Sequence, residues 1–448
     1  MIDDFPLTPR YFGALAILSG ALAFEMFDFV IVSFLLSALA PLWKLTFGQT
    51  AIILLAAGVG AMAGSAIAGP LTDRHGRRPL LIVGMTLCPL AAIAIGLIPE
   101  GAWIVFALLR LVLGLGYGIA GVAQFAMIVE MTPLRHRTLL ASATMIPVAI
   151  GFLMAPAAMS LLYAAVGWRG LALLGGIPVI FALLVAVFIP ESPRWLLSRG
   201  RRQEAIGAAR RLFGVAPVAG TAPRRDTPAP TTRAGRLLDH PRELAFVIVA
   251  YGCNSTAIAG VLMWGPVLVG MVLGMPPQQV AGFFVIVGVC GLLGRVAFTI
   301  LPPRIGRRRA GAVHMLGAAA CLTLGTVFPY PPVLGIPLFL VAMAASAFFF
   351  DGGLANLQPH AAEIFPVDVA GRGMAASQVA VGAGKILGPL ILALLAGTSN
   401  VIKPDATREA LVPGFLTMAA LFAVAGLAFL LIGSDADRTD RPSTPNAR

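Results

Sequence analysis

The chain has 448 residues, of which 58% are hydrophobic and 12% charged, with a mean hydropathy of +0.90. Soluble globular domains carry about twice that charge fraction, so a soluble enzyme or scaffold is excluded. Apolar stretches of 18 or more residues recur along nearly the whole length and read as membrane-spanning helices.

The first ten residues are polar and acidic (Asp3, Asp4). The first apolar run is long and holds Glu25 and Asp28, so no cleavable signal peptide is expected. From there twelve spans follow, at about 13–40, 48–71, 79–98, 103–129, 138–165, 170–189, 243–272, 279–301, 309–328, 333–361, 374–397 and 410–433. Between the second and third lies Gly69-Pro-Leu-Thr-Asp-Arg-His-Gly-Arg-Arg-Pro-Leu80, expected as a charged, glycine-bent turn that marks one membrane face. A hydrophilic segment, 190–242, separates the sixth and seventh spans. Its first part, Glu191 to Phe213, reads as a basic amphipathic helix on the inner face, and the proline-rich remainder as a linker. The tail 434–448 is polar and expected to be disordered. The chain thus divides into 1–189, 190–242, 243–433 and 434–448.

The net charge of +12 would suit a nucleic-acid partner, but its placement argues against one. Of the 32 Lys and Arg, 25 fall at the N-terminus, in even-numbered loops or in the tail. Lys44, Arg169, Lys403 and Arg408 lie in odd-numbered loops, and Arg110, Arg295 and Lys385 inside spans. That asymmetry places both termini in the cytoplasm. Arginine outnumbers lysine 29 to 3, a hint of a GC-rich bacterial genome and hence of a bacterial inner membrane. Cys88, Cys253, Cys290 and Cys321 have no paired spacing, so neither a disulfide framework nor a metal site follows. No phosphate loop and no nucleophile–base arrangement is present, so neither a cofactor nor catalysis is indicated.

The halves echo each other. Gly76-Arg77-Arg78 recurs 230 residues on as Gly306-Arg307-Arg308, and Glu130-x-x-Pro133 recurs 233 residues on as Glu363-x-x-Pro366. Repeated six-helix units are a transporter signature. The copies differ at Pro303, which stands where Asp73 stands in the first half, and at Asp368, which replaces Arg135.

Together with Glu130-Met-Thr-Pro-Leu-Arg-His-Arg137, Pro190-Glu-Ser-Pro-Arg-Trp-Leu-Leu197 and Arg110-Leu-Val-Leu-Gly114-Leu-Gly116, these features resemble the major facilitator superfamily over the full chain. The motifs at 130–137 and 190–197 look like the branch that holds sugar porters, organic-ion transporters and metabolite:proton symporters. The resemblance implies an all-α membrane protein, twelve transmembrane helices in two pseudo-symmetric six-helix bundles, working as a monomer by alternating access. Sugar porters carry paired glutamines in the seventh helix, whereas this chain reads Tyr-Gly-Cys-Asn-Ser-Thr at 251–256. They also carry a Pro-Glu-Thr-Lys-Gly motif after the twelfth helix, which is absent here. What the resemblance leaves is a symporter of protons with a metabolite or small organic anion. A proton-coupled exporter is the alternative, disfavoured by the degraded motif Gly151-Phe-Leu-Met-Ala-Pro156; a non-transporting receptor is a further one.

A charge at the bilayer centre costs at least about 2.5–3.5 kcal/mol, so each one needs a reason. Glu25 and Asp28 lie a turn apart on one helix face. They read either as a proton-coupling pair, with Arg110 as the cation that tunes and releases them, or as structural partners of Arg110. Asp351 joins the proton-coupling candidates. Arg110, Tyr117 and Gln124 share one stripe of the fourth span, where Tyr117 and Gln124 are candidate substrate contacts. Lys385, two turns from Gln378, is the candidate holder of a substrate anion; its alternative is a structural pair with Asp351. Asn254 and Gln358 would bond a ligand or another helix. Tyr251 and Trp264 would form packing or the stacking wall of an aromatic substrate. Arg295 reads as structural or gate-forming. A cytoplasmic gate is expected from Asp73, Arg74, Arg77, Arg78, Glu130, Arg135, Glu363 and Arg372.

Overall fold

The structure, a computed structural model, describes residues 5–133, 136, 140, 143–215, 237–329, 332–333, 336–365 and 369–432. The helix α1 spans Pro9–Leu42, opened by Thr8, whose hydroxyl accepts from the Tyr11 amide. α2 (Phe47–His75) begins at a capping box: the Thr46 hydroxyl accepts from the Gln49 amide while the Gln49 side chain accepts from the Thr46 amide. α3 (Arg77–Gly96), α4 (Trp103–Met131), α5 (Met145–Leu174) and α6 (Val179–Phe188) follow, then the short α7 (Pro193–Ser198) and α8 (Arg202–Phe213). The second half holds α9 (Pro241–Leu273), α10 (Pro277–Ile300), the single turn α11 (Pro302–Ile305) and α12 (Arg307–Val327). A two-residue antiparallel ribbon, β1 (Pro332–Val333) and β2 (Ile336–Pro337), leads into α13 (Leu338–Glu363), α14 (Ala370–Ala396) and α15 (Pro404–Leu431).

Among the described residues ten helical stretches are long and apolar enough to cross a membrane. One of them, Ile146–Phe188, has 43 residues, about twice what one pass needs, and Gly167 leaves the helical conformation near its middle (φ 65°, ψ −175°). The apolar part of α13, Leu338–Gly353, is shorter.

The turn expected over Gly69–Leu80 is much tighter than its charge suggested. α2 runs through Pro70 to His75, Gly76 alone departs from helix at φ 103°, and α3 starts at Arg77. A side chain at 76 would suffer twice, since a positive φ disfavours a Cβ and the Glu191 carboxylate occupies its place, 2.2 Å away. Gly306 repeats the bend at φ 87° before α12, so the sequence repeat is also a conformational one.

Packing separates the chain into two compact units. The first takes the described residues within 1–230, 259–288 and 389–414, and the second those within 231–258, 289–388 and 415–448. Division by packing therefore differs from division by repeat, because parts of the seventh, eighth and last two spans join the first unit. In that unit α2 lies against α4 through glycines: a Cβ on Gly60, Gly64, Gly114 or Gly118 would sit 2.0–2.3 Å from a carbonyl oxygen of the other helix. Small residues permit this approach, which a helix pair in lipid needs for its dispersion contacts. In the second unit α10 meets α13 the same way, with a Cβ on Gly294 falling 1.9 Å from the Phe348 carbonyl.

The helix α8 is amphipathic as expected, but its apolar face does not lie in lipid. Ala205, Ala208, Ala209, Leu212 and Phe213 are buried against protein. Phe213 stacks between Phe5 (centroids 4.8 Å) and Tyr11 (5.6 Å), and the Tyr11 hydroxyl meets Thr132 at 2.8 Å. The polar linker thereby docks on the ends of α1 and α4. At the other end of these helices, Glu100 accepts from the Trp43 indole at 2.6 Å and from Arg169, whose guanidinium lies 4.4 Å over Trp168. These donors hold the Glu100 carboxyl below its ordinary range.

Candidate substrate and proton site

α1 buries Glu25 and Asp28 to 4% and 2% exposure. Among the described residues neither Glu25 oxygen has a hydrogen-bond partner, and Asp28 Oδ2 has none. The other Asp28 oxygen lies where α1 meets the end of α5: a Cβ on Gly175 would be 2.2 Å from Oδ1, beside Ala92 of α3. Gly175 is the C-cap of α5, so the missing side chain makes room for a carboxyl.

Arg110 is equally buried, yet it does not bind the carboxylate as the sequence suggested. Nη1 donates to the main-chain carbonyl of Asp28 at 2.8 Å and Nη2 to that of Phe29 at 3.4 Å, while Nε has no partner among the described residues. The guanidinium lies level with the consecutive carbonyls of Asp28 and Phe29, and its planar fork donates to both. Gln124, two turns from Tyr117 on the same stripe, donates to the Leu18 carbonyl, and Tyr117 stacks on Phe29 at 6.4 Å. The stripe of α4 thus grips the backbone of α1 on both sides of the acid pair. Among the described residues neither carboxyl forms a salt bridge, and an ionised carboxylate buried that way costs several kcal/mol.

The second unit holds a different constellation. Arg295 of α10 and Asp351 of α13 form a bidentate pair at 2.9 and 2.7 Å, each about one-fifth exposed. The first-half counterparts, 230 and 233 residues earlier, are Ser65 and Gly118, joined by a hydroxyl–carbonyl contact at 3.4 Å. The second half has replaced that neutral contact with an ion pair. Asp351 therefore pairs with Arg295, a partner the sequence reading did not consider.

α9 and α14 cross at Gly384, whose Cβ would be 2.6 Å from Ser255 Cβ, and the Ser255 hydroxyl donates to the Val381 carbonyl at 2.7 Å. Asn254, buried, and Lys385, half-buried, flank that crossing. Asn254 Oδ1 has no partner among the described residues. Gln378 is exposed. Tyr251 is spent on structure, its hydroxyl donating to the Leu357 carbonyl at 2.6 Å. Trp264 is fully buried in the first unit, with its indole donating to Pro389 O at 3.1 Å and its ring on Phe47 at 5.5 Å. The Gln358 side chain lies outside the described residues.

At the basic turns, Arg77 donates to Glu130 through Nε (3.1 Å) and Nη2 (2.8 Å), and reaches Asp73 at 3.2 Å. The Asp73 carboxylate is 75% exposed, and its main-chain carbonyl holds Trp195 and Arg199. Glu191 is the anchor here: its carboxylate accepts from the main-chain amides of Arg77, Arg78 and Ser192, satisfying the first amides of α3. Arg78 donates to the Ala186 carbonyl. Arg74 is exposed. Arg135, and the side chains of Glu363 and Arg372, lie outside the described residues.

One residue went unnoticed in the sequence. His314 of α12 is fully buried between Phe298 and Phe429, with neither ring nitrogen partnered among the described residues. A histidine within an apolar run was the available signal.

The model of the family described as sugar (and other) transporter matches residues 44–435. The chain belongs to this family. Within the major facilitator superfamily, its relatives include a gallate transporter of Pseudomonas putida, 25% identical over 87% of this chain and 86% of the relative. The 4-hydroxybenzoate transporter PcaK of Acinetobacter baylyi is 29% identical over 46% of this chain and 45% of its own. Among solved structures, that of a D-xylose-proton symporter superposes with a TM-score of 0.75 at 18% identity, covering 95% of this chain and 98% of that one. The family is one of transporters, so this chain is a multi-pass membrane transporter and not an enzyme.

Proposed function

We propose that the chain takes up a small organic anion together with protons, by alternating access, across a bacterial inner membrane. Twelve passes are inferred: the 43-residue stretch Ile146–Phe188 makes two, broken at Gly167, and α13 adds one. Both termini are then cytoplasmic, which puts Arg77, Glu130 and Glu191 inside and Trp43, Glu100 and Arg169 outside.

The observation that carries the reading is the Glu25–Asp28 pair, buried in α1 with no salt-bridge partner among the described residues. A structural acid would be neutralised by Arg110, but Arg110 is engaged with carbonyls. Carboxyls so placed suit groups that take up a proton while the site opens to one side and release it when water reaches them from the other. Arg110 holds the α1 backbone around them and keeps a positive potential nearby.

Lys385, next to Gly384 of the α9–α14 crossing, supplies the charge for a substrate carboxylate. Relatives named for gallate and 4-hydroxybenzoate favour an aromatic carboxylate, and the absent paired glutamines disfavour a sugar. Thermal-shift titration of the purified protein with gallate, 4-hydroxybenzoate and D-xylose tests this. Aromatic acids should raise Tm, and Lys385→Ala should weaken the response at least about tenfold, or 1.4 kcal/mol. A response to xylose alone would overturn the substrate class.

A further inference from the structure

The loop between α1 and α2 is locked to the loop between α14 and α15. Phe47 N donates to Asn400 O, Gly48 N to Thr398 O, and Ile402 N to Leu45 O, each at 2.9 Å, with Thr46 and Val401 forming an antiparallel bridge. Both loops are shaped for this. Lys44 adopts φ 50°, Gly397 adopts φ 80°, and the Thr46 capping box fixes the turn into α2. The contact is dry: Leu45, Phe47 and Ile402 are at most 2% exposed, and Phe47 stacks on Trp264, which is itself pinned to Pro389. In the same unit, Phe34 of α1 meets Phe284 of α10 edge-on at 5.5 Å. Gly48 has no room for a side chain, since a Cβ there would lie 2.8 Å from Thr398 O.

We propose that this three-bond main-chain clasp is the outer latch of the transporter, the contact that must open before the outer side admits substrate. Loops elsewhere in such a bundle would be free to diverge; here they share a ladder, and main-chain pairing persists or parts as a unit because each bond fixes the register of the next. The sequence repeat adds an independent argument. The clasped segments belong to the first and last thirds of the chain, so their pairing joins helices that the repeat assigns to opposite halves. The proposal rests on the orientation inferred above, and is independent of the substrate.

Two experiments test it. Thr46 and Val401 face each other as a non-hydrogen-bonded antiparallel pair, with Cα atoms close enough for a disulfide. Thr46→Cys with Val401→Cys should cross-link on oxidation, lower uptake at least tenfold, and recover on reduction. Absence of a cross-link, or full uptake by the cross-linked protein, would overturn the latch. In the second experiment Gly48→Val, which α2 tolerates at φ values open to any residue, pushes the loops apart. Labelling of Ser37→Cys by a membrane-impermeant maleimide added outside should then quicken at least fivefold over the same reporter with Gly48 intact. An unchanged rate would contradict the latch. Labelling needs no substrate, so its failure is distinct from failure of the anion reading.

Discussion

At the scale of single residues, function here depends on which polar groups are left without partners. Arg110 donates to the carbonyls of Asp28 and Phe29, and among the described residues both Glu25 oxygens and Asp28 Oδ2 have no hydrogen-bond partner. Gly175 is part of that arrangement, because an alanine there would place a carbon 2.2 Å from Asp28 Oδ1. Gly175→Ala should therefore lower uptake about tenfold, whereas Gly13→Ala, with nothing within 4 Å, should transport as the parent does. Equal uptake by both variants would detach Gly175 from the site. Glu191 is the corresponding residue at the basic turn. Its carboxylate accepts three main-chain amides, so Glu191→Gln should cost about 1–3 kcal/mol by leaving α3 poorly capped, read as a lower Tm in detergent. An unchanged Tm would mean that water replaces it at no cost.

At the scale of elements, helices in lipid gain little from apolar burial and rely on close approach. The α2–α4 pair does so through four glycines, and the α9–α14 pair through Gly384. Gly114→Val would drive its side chain into the Ala57 carbonyl, and overpacking of this kind costs about 1–3 kcal/mol. Gly121→Val, two helix turns on from Gly114 but with open space before it, should be silent in the same thermal-melt assay. The apolar periodicity made these helices legible in the sequence, and the repeat placed the bends at Gly76 and Gly306. Partner choice was not legible. Arg110 and Asp28 looked complementary as side chains, but a sequence does not say that the guanidinium is level with two main-chain carbonyls. Asp351 and Lys385 both sit at mid-span and look like partners in the sequence, whereas Arg295, deeper toward the cytoplasm, reads as structural or gate-forming. The amphipathic α8 likewise fitted a lipid surface, and only the Phe5–Phe213–Tyr11 stack reveals the protein surface it covers.

At the scale of the whole molecule, the two ends of the first helices are fastened by different means. One end carries the Arg77–Glu130–Glu191 network and the docked α8. The other carries the main-chain clasp and the Trp43–Glu100–Arg169 cluster. Glu100 gives that end a pH signature. Its folded-state pKa is depressed, so its contribution is complete above the unfolded value, about 4.3, and is lost as pH falls through the folded one. Thermal stability should stay level from about pH 8 to 5 and decline below that, and Glu100→Gln should remove part of the acid-side decline. A decline already complete at pH 6 would point to another group. The division of labour between a rigid family scaffold and a few intramembrane charges is what the central claim rests on. Its most direct test is uptake of labelled gallate into proteoliposomes with an imposed pH gradient, comparing the parent protein with Asp28→Asn. The account predicts gradient-driven accumulation by the parent, and gallate exchange without accumulation by the variant. Accumulation that ignores the gradient, or that survives Asp28→Asn undiminished, would contradict it.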